Sequence, residues 1–177
     1  MWMETYQKKG RCWWPVSGNS MAPLIHPGDR VLVVSIPVER VRLGDIIVFK
    51  RNGDLIVHRV LKKLRTADNI RFMEKGDGTH MSGLAGSDTV VGRVSMIQGK
   101  AKRLNLNSPL SQFTSLILSL WFRFSSSAIY RLEYSGIKAI SQAGRVLSPL
   151  ILVTSNILVR LCFLVWYPSG LLVKGDR

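Results

Sequence analysis

The sequence predicts a mainly β unit followed by an α-helical, apolar and basic C-terminal region. Short Val- and Ile-rich runs broken by Gly, Pro and Asn turns fill residues 16–97, with no internal repeat and no strand–helix–strand alternation. Long apolar segments at helical spacing fill the rest. The charge balance changes at the same place: residues 1–99 hold 15 basic and 9 acidic residues, and residues 100–177 hold 10 basic and 2 acidic. The expected organisation is an N-terminal segment 1–15, a β domain 16–99 and a helical region 100–177. The basic stretch Gly99-Lys-Ala-Lys-Arg103 marks the junction.

The elements follow in order. Residues 1–16 contain Lys8, Lys9 and Arg11 and no apolar run of signal-peptide length. Trp13-Trp14-Pro15 is apolar but far shorter than the roughly 20 residues of a spanning helix. Arg30 to Val38 reads as a strand between Pro27-Gly28-Asp29 and Pro37. Gly44-Asp45 opens a second strand, Ile46-Ile-Val-Phe49. Asn52-Gly53 is a two-residue hairpin signal, because both residues tolerate the positive φ of a type I′ turn. It leads into Leu55 to Leu61. A weaker strand covers Ile70 to Met73, Gly76-Asp77-Gly78 turns, and Thr89 to Ile97 is the last strand. Beyond it, Ser111 to Phe124 and Ala128 to Ala143 read as helices interrupted at Ser125-Ser126-Ser127 and Ser135-Gly136. Val146 to Tyr167 is the most apolar stretch, with Pro149, Asn156 and Arg160 inside it. Its apolar and basic composition suits an interfacial helix as well as a spanning one.

Composition sets limits on function. The chain has 177 residues, 46% of them hydrophobic and 20% charged, enough apolar material for a packed core. Cys12 and Cys162 stand far apart and form no disulfide framework. No clustered Cys/His spacing suggests zinc, so neither metal nor cofactor is expected. The formal charge of +14 favours an anionic partner, either nucleic acid or a lipid surface.

Chemistry concentrates in Ser17-Gly-Asn-Ser-Met-Ala-Pro-Leu-Ile-His-Pro-Gly-Asp29. Ser20 follows flexible Gly18, and Pro23, Pro27 and Gly28 shape the loop behind it. A nucleophilic hydroxyl needs such a fixed turn and a nearby base. Taken alone, a serine between Asn and Met is an ordinary loop residue. His58 lies on a predicted strand, on one face with Ile56 and Val60. Its imidazole suits a general base, although a histidine among apolar neighbours is commonly a packing residue. His26 and His80, in turn-like loops, are rival bases. Asp77 is the candidate to orient His58, with Asp88 its rival. Turn aspartates ordinarily bond their own backbone instead.

In order, these pieces resemble a family. Gly18-Asn-Ser-Met-Ala-Pro23 followed by His26-Pro-Gly-Asp-Arg-Val-Leu-Val33 resembles the serine box of type I signal peptidases, which share a fold with LexA-type self-cleaving repressors. Gly44 to Phe49, Ile56-Val-His-Arg-Val60, Phe72-Met-Glu-Lys-Gly-Asp77 and Val91-Gly-Arg-Val94 resemble the boxes that follow. A histidine where most bacterial members carry lysine is the mark of the archaeal and endoplasmic-reticulum-type branch. The resemblance implies a β-barrel-type peptidase domain over about residues 16–97. It makes Ser20 the nucleophile, His58 the general base, and Asp77 the match to the aspartate of the Lys-Gly-Asp box. That branch usually carries a further aspartate some five or six positions later. Here those positions are Ser82 and Gly83, and Asp88 stands further along.

The expected activity is a serine-type endopeptidase acting on a peptide or preprotein at or near a membrane, with an anionic lipid surface for the basic C-terminal region and protein partners on its helices. Trp2, Trp13 and Trp14 are alternative membrane contacts. A non-catalytic membrane module that binds a peptide or partner on the same fold is the first alternative. A LexA-type self-cleaving regulator is the second, and a nucleic-acid partner is not expected, because 16 residues before the serine box leave no room for a helix-turn-helix.

Overall fold

Ile46-Ile-Val-Phe49 is apolar at every position, and its place in the fold explains why. The computed structural model describes residues 2–66, 69–79, 81–100, 103–133, 149–151 and 153–162. In it this run belongs to a strand with a core on each side. Ile46 and Val48 pack with Val31, Leu61 and Val94, while Ile47 and Phe49 pack with Val41, Val60 and Phe72. A strand buried on both faces loses the polar alternation of a half-exposed one.

The elements are α1 (Trp2–Lys9), β1 (Arg11–Pro15), β2 (Arg30–Val34), β3 (Ile46–Arg51), β4 (Asp54–Arg65), β5 (Ile70–Lys75), β6 (Ser82–Gly86), β7 (Val90–Gln98), β8 (Arg103–Asn105) and α2 (Pro109–Glu133). Further helix covers residues 149–151 and 153–162. The strands form one antiparallel sheet in the order β1-β2-β7-β3-β4-β5-β6, with β8 on β7. The sheet curls into a half-barrel, with the helices after it, and the predicted mainly β class holds. Asn52 and Gly53 both have positive φ, 50° and 87°, and close the β3–β4 hairpin with Arg51 opposite Asp54.

Several elements differ from the sequence expectation. The segment 1–15 supplies α1 and β1. Tyr6 Oη donates to the Val91 carbonyl at 2.5 Å and pins α1 to the sheet. Trp14 is 3% exposed in the core, and so is not a membrane contact. β4 runs on to Arg65 because Lys63, though charged, places its Nζ on the Glu39 carbonyl at 2.7 Å. The Ser- and Gly-rich β6 carries no side-chain pattern and is ordered by backbone pairing to β5. α2 passes straight through Ser125–Ser127, since Ser125 Oγ donates to the Phe122 carbonyl one turn back, a bond a helix accommodates. The predicted helix ends at 134–143 and 163–167 lie outside the described residues.

α2 closes one face of the sheet. Leu118 and Phe122 are fully buried there, worth about 1.5–3 kcal/mol each. Ser119 Oγ donates to the Val60 carbonyl at 2.5 Å, and the Gly44 N–H donates to the same oxygen at 2.9 Å. Gly44 has φ +87°, and a Cβ on it would lie 2.8 Å from the Ser115 backbone. Only glycine lets the helix approach this closely. The outer face of α2 exposes Phe113 and Phe124, at 60% and 71%, with Leu116, Ile117 and Leu120 between them. Among the described residues, no helix is long and apolar enough to cross a membrane.

Lys75 is buried against this helix, its Nζ 4.3 Å from the Phe122 ring centroid. Burial pulls its pKa down to about 8; the Asp77 charge opposes that and the Arg59 charge adds to it. The unfolded chain keeps this proton to about 10.5. Between those values the unfolded state binds more protons, so this group makes stability rise with pH. Urea unfolding is therefore expected to show wild type gaining stability relative to Lys75→Met from about pH 7.5 to about pH 9.5. Tyr6 and Cys162, whose pKa values burial raises, act oppositely but equally in both proteins. A pH-independent difference between the two would show that Lys75 is solvated.

Candidate active site

The loop 16–29 leaves β1 and returns to β2 with its ends tied. The Val16 N–H donates to the Asp29 carbonyl, and the Gly28 N–H to the Val16 carbonyl, each at 2.8 Å. Inside the loop, Met21, Leu24 and Ile25 are sunk into the main core. The Ala22 N–H donates to the Asn19 carbonyl and the Ile25 N–H to the Met21 carbonyl, both at 2.9 Å. Ser20 sits half-exposed on a turn whose next residue is buried. An apolar anchor on one side and closed backbone turns around it hold a hydroxyl in place without enclosing it, as a nucleophile requires.

His58 stands on β4 opposite Ile47, its ring edge-on to Phe49 with centroids 6.0 Å apart. Its Nδ1 is hydrogen-bonded to Glu74 Oε2. The other Glu74 oxygen accepts from Arg51 Nη2 at 2.6 Å, and that nitrogen also donates to the Leu84 carbonyl at 3.0 Å. Glu74 is fully buried. Burial alone would raise its pKa, but the hydrogen bonds and charges of His58 and Arg51 outweigh that and hold it below the usual carboxylate range.

With Nδ1 engaged, Nε2 points the other way. A Cβ on Gly76 would sit 3.0 Å from His58 Nε2 and overlap the Ser20 carbonyl oxygen. The imidazole and the serine main chain thus flank one glycine. The Gly78 N–H donates to the Ser20 carbonyl at 2.9 Å, tying the turn after β5 to the serine loop. A cleft of about 470 Å³ opens beside them, between Asn19, Ala22, Pro23 and Gly78 on one side and Val153, Asn156, Ile157 and Arg160 on the other.

Of the residues singled out by sequence, Ser20 and His58 lie on either side of Gly76, through the serine carbonyl oxygen and the imidazole Nε2. Asp77 is placed elsewhere: both its oxygens accept from Arg59, from Nε at 2.8 Å and Nη2 at 2.7 Å, and both residues are fully buried. Arg59 follows His58 on β4, and alternation turns it to the opposite face of the sheet, so the hydrogen bonds of Asp77 go to Arg59 and not to the imidazole. Asp88 is exposed on the turn Ser87–Thr89. His26 is 54% exposed and bonds Asp29 through its backbone N–H at 3.0 Å. His80 lies outside the described residues. The carboxylate on His58 is Glu74, which sequence reasoning passed over. Its signal was there: Ile70, Phe72 and Glu74 alternate as the inward positions of β5, and an acid at such a position needs a partner.

The Peptidase S24-like family matches residues 2–75, a range that holds Ser20, His58 and Glu74 and ends before Asp77. The chain is also similar to the signal peptidase complex catalytic subunit SEC11C of Homo sapiens, Canis lupus familiaris and Mus musculus. Each is 40% identical over 70 residues, covering 37% of this chain and 36% of the relative. The match spans about a third of the length of these relatives. These similarities bear out the resemblance to the endoplasmic-reticulum-type signal peptidases drawn from the boxes.

Proposed function

We propose that the chain is a serine endopeptidase that cleaves a peptide or preprotein beside small side chains at a membrane surface, a reading supported by the Peptidase S24-like match over residues 2–75 and the similarity to signal peptidase catalytic subunits. One observation carries the reading: an imidazole fixed through Nδ1, with its free nitrogen turned towards the serine loop across Gly76. In the proposed reaction Nε2 takes the Ser20 hydroxyl proton as Oγ attacks the substrate carbonyl. The proton then passes to the leaving amine, and water releases the acyl group by the same route. The open Ser20 turn and the cleft at Asn19 and Gly78 support peptide access.

Membrane attachment belongs to the same proposal. Phe113, Ile117, Leu120 and Phe124 recur along one exposed stripe of α2, and Leu150, Val153, Ile157 and Leu161 do so on the later helix. With the basic excess of residues 100–177, these faces suit a helix lying in an anionic interface.

The test is covalent. The full chain, with anionic vesicles present, is treated with a fluorophosphonate probe and digested for mass spectrometry. The expected adduct sits on the peptide containing Ser20 and is missing from Ser20→Ala. An unmodified chain, or an adduct on another serine, would overturn the assignment.

A further inference from the structure

Glu74 is an acid in the apolar interior of β5, opposite Gly83 of β6 in the strand register. Each of its oxygens has one strong partner, His58 Nδ1 on Oε2 and Arg51 Nη2 on Oε1. Arg51 is fixed in turn by the Leu84 carbonyl and by the Phe49 ring, whose centroid is 5.0 Å from its guanidinium carbon and which also meets the His58 ring. Gly83 leaves the necessary space. A Cβ there would overlap Glu74 Oε1 and come within 3.0 Å of Arg51 Nη2.

We propose that Glu74, clamped by Arg51 and accommodated by Gly83, is the positioning residue of His58. This rests on the serine-peptidase reading. The carboxylate keeps the neutral imidazole proton on Nδ1 and leaves the Nε2 lone pair for the Ser20 proton. When Oγ–H breaks and Nε2–H forms, the positive charge of the imidazolium faces Glu74, which stays ionised throughout. Arg51 gives Glu74 one rotamer and keeps it charged in a buried site.

Nitrogen-15 histidine spectra of the full chain read the tautomer directly. Only three histidines contribute, and a His58→Gln spectrum assigns the resonances. Wild type is expected to carry its proton on Nδ1 of His58. Glu74→Gln is expected to lose that preference and to slow acylation by the fluorophosphonate about 10²-fold or more, with Glu74→Asp restoring part of the rate. Gly83→Ala keeps the carboxylate but pushes it aside, and is expected to shift the tautomer and rate the same way while remaining folded by circular dichroism. Protonation of His58 on Nε2 in wild type, or Glu74→Gln and Gly83→Ala acylating within about twofold of wild type, would overturn the proposal. Should Glu74→Gln unfold, the wild-type spectrum and Gly83→Ala decide. A wild-type chain inert to the probe would count against the peptidase reading, while the nitrogen spectra still decide what sets the tautomer.

Discussion

Asp77→Ala is expected to destabilise the protein by about 3–5 kcal/mol, because it strands the fully buried Arg59 guanidinium without its counter-charge. Arg59 spends Nε and Nη2 on Asp77, and its Nη1 donates to the Gly44 carbonyl at 3.2 Å. Losing the carboxylate therefore loosens the turn against which α2 packs, where Gly44 meets Ser115. A loss of that size is a large fraction of the roughly 5–15 kcal/mol that holds a domain folded. Replacing both partners, as Arg59→Met with Asp77→Leu, removes the unpaired charge and is expected to recover most of the loss. Urea unfolding of the wild type, the single variants and the double variant, treated as a cycle, measures this. Asp77→Asn separates two roles. As a structural ion-pair member it should fall in stability, and the protein that remains folded should acylate at a near-normal rate. Unchanged stability with lost acylation would restore Asp77 as the orienting group of His58.

What the sequence revealed and what it hid divide by range. The serine loop, the Gly44 turn, the Asn52-Gly53 hairpin and the histidine strand are local, each specified by a few neighbours with particular backbone needs. Ser20 and His58 stood out as candidates because their surrounding residues form boxes with their own spacing. The partner of His58 was not, because it depends on how β5 pairs with β4. The register slips between Val60 and Lys62, which puts Glu74 opposite Val60 and on the face of His58, while Arg59 and Lys75 share the other. No spacing rule in one dimension encodes that slip. β6 escaped notice for a related reason: Ser82-Gly-Leu-Ala-Gly86 has no alternation, and its strand form comes from β5. The serine run in α2 looked like a break because serines favour turns, yet a helix packed over a core overrides that preference.

The separation between catalytic and structural charge gives the second large effect. His58→Ala is expected to lower the acylation rate of Ser20 on the order of 10⁴-fold, since in the proposed reaction the hydroxyl loses the group that takes its proton. Stability should suffer far less than with Asp77→Ala, because Glu74 retains Arg51 when the imidazole is gone. Glu74 would lose part of what holds its pKa down and move up towards the ordinary carboxylate range. His58→Lys sharpens the point. A lysine acts as a base only after it gives up its proton, and here its amine would lie against an ionised, buried carboxylate that favours the ammonium. His58→Lys is thus expected to be as inactive as His58→Ala, and His58→Lys with Glu74→Gln to be the faster of the two lysine variants. Rates of probe acylation across the four proteins, each checked for folding by circular dichroism, measure this. A single lysine variant that outpaces the double would mean that the carboxylate does not govern the proton at position 58.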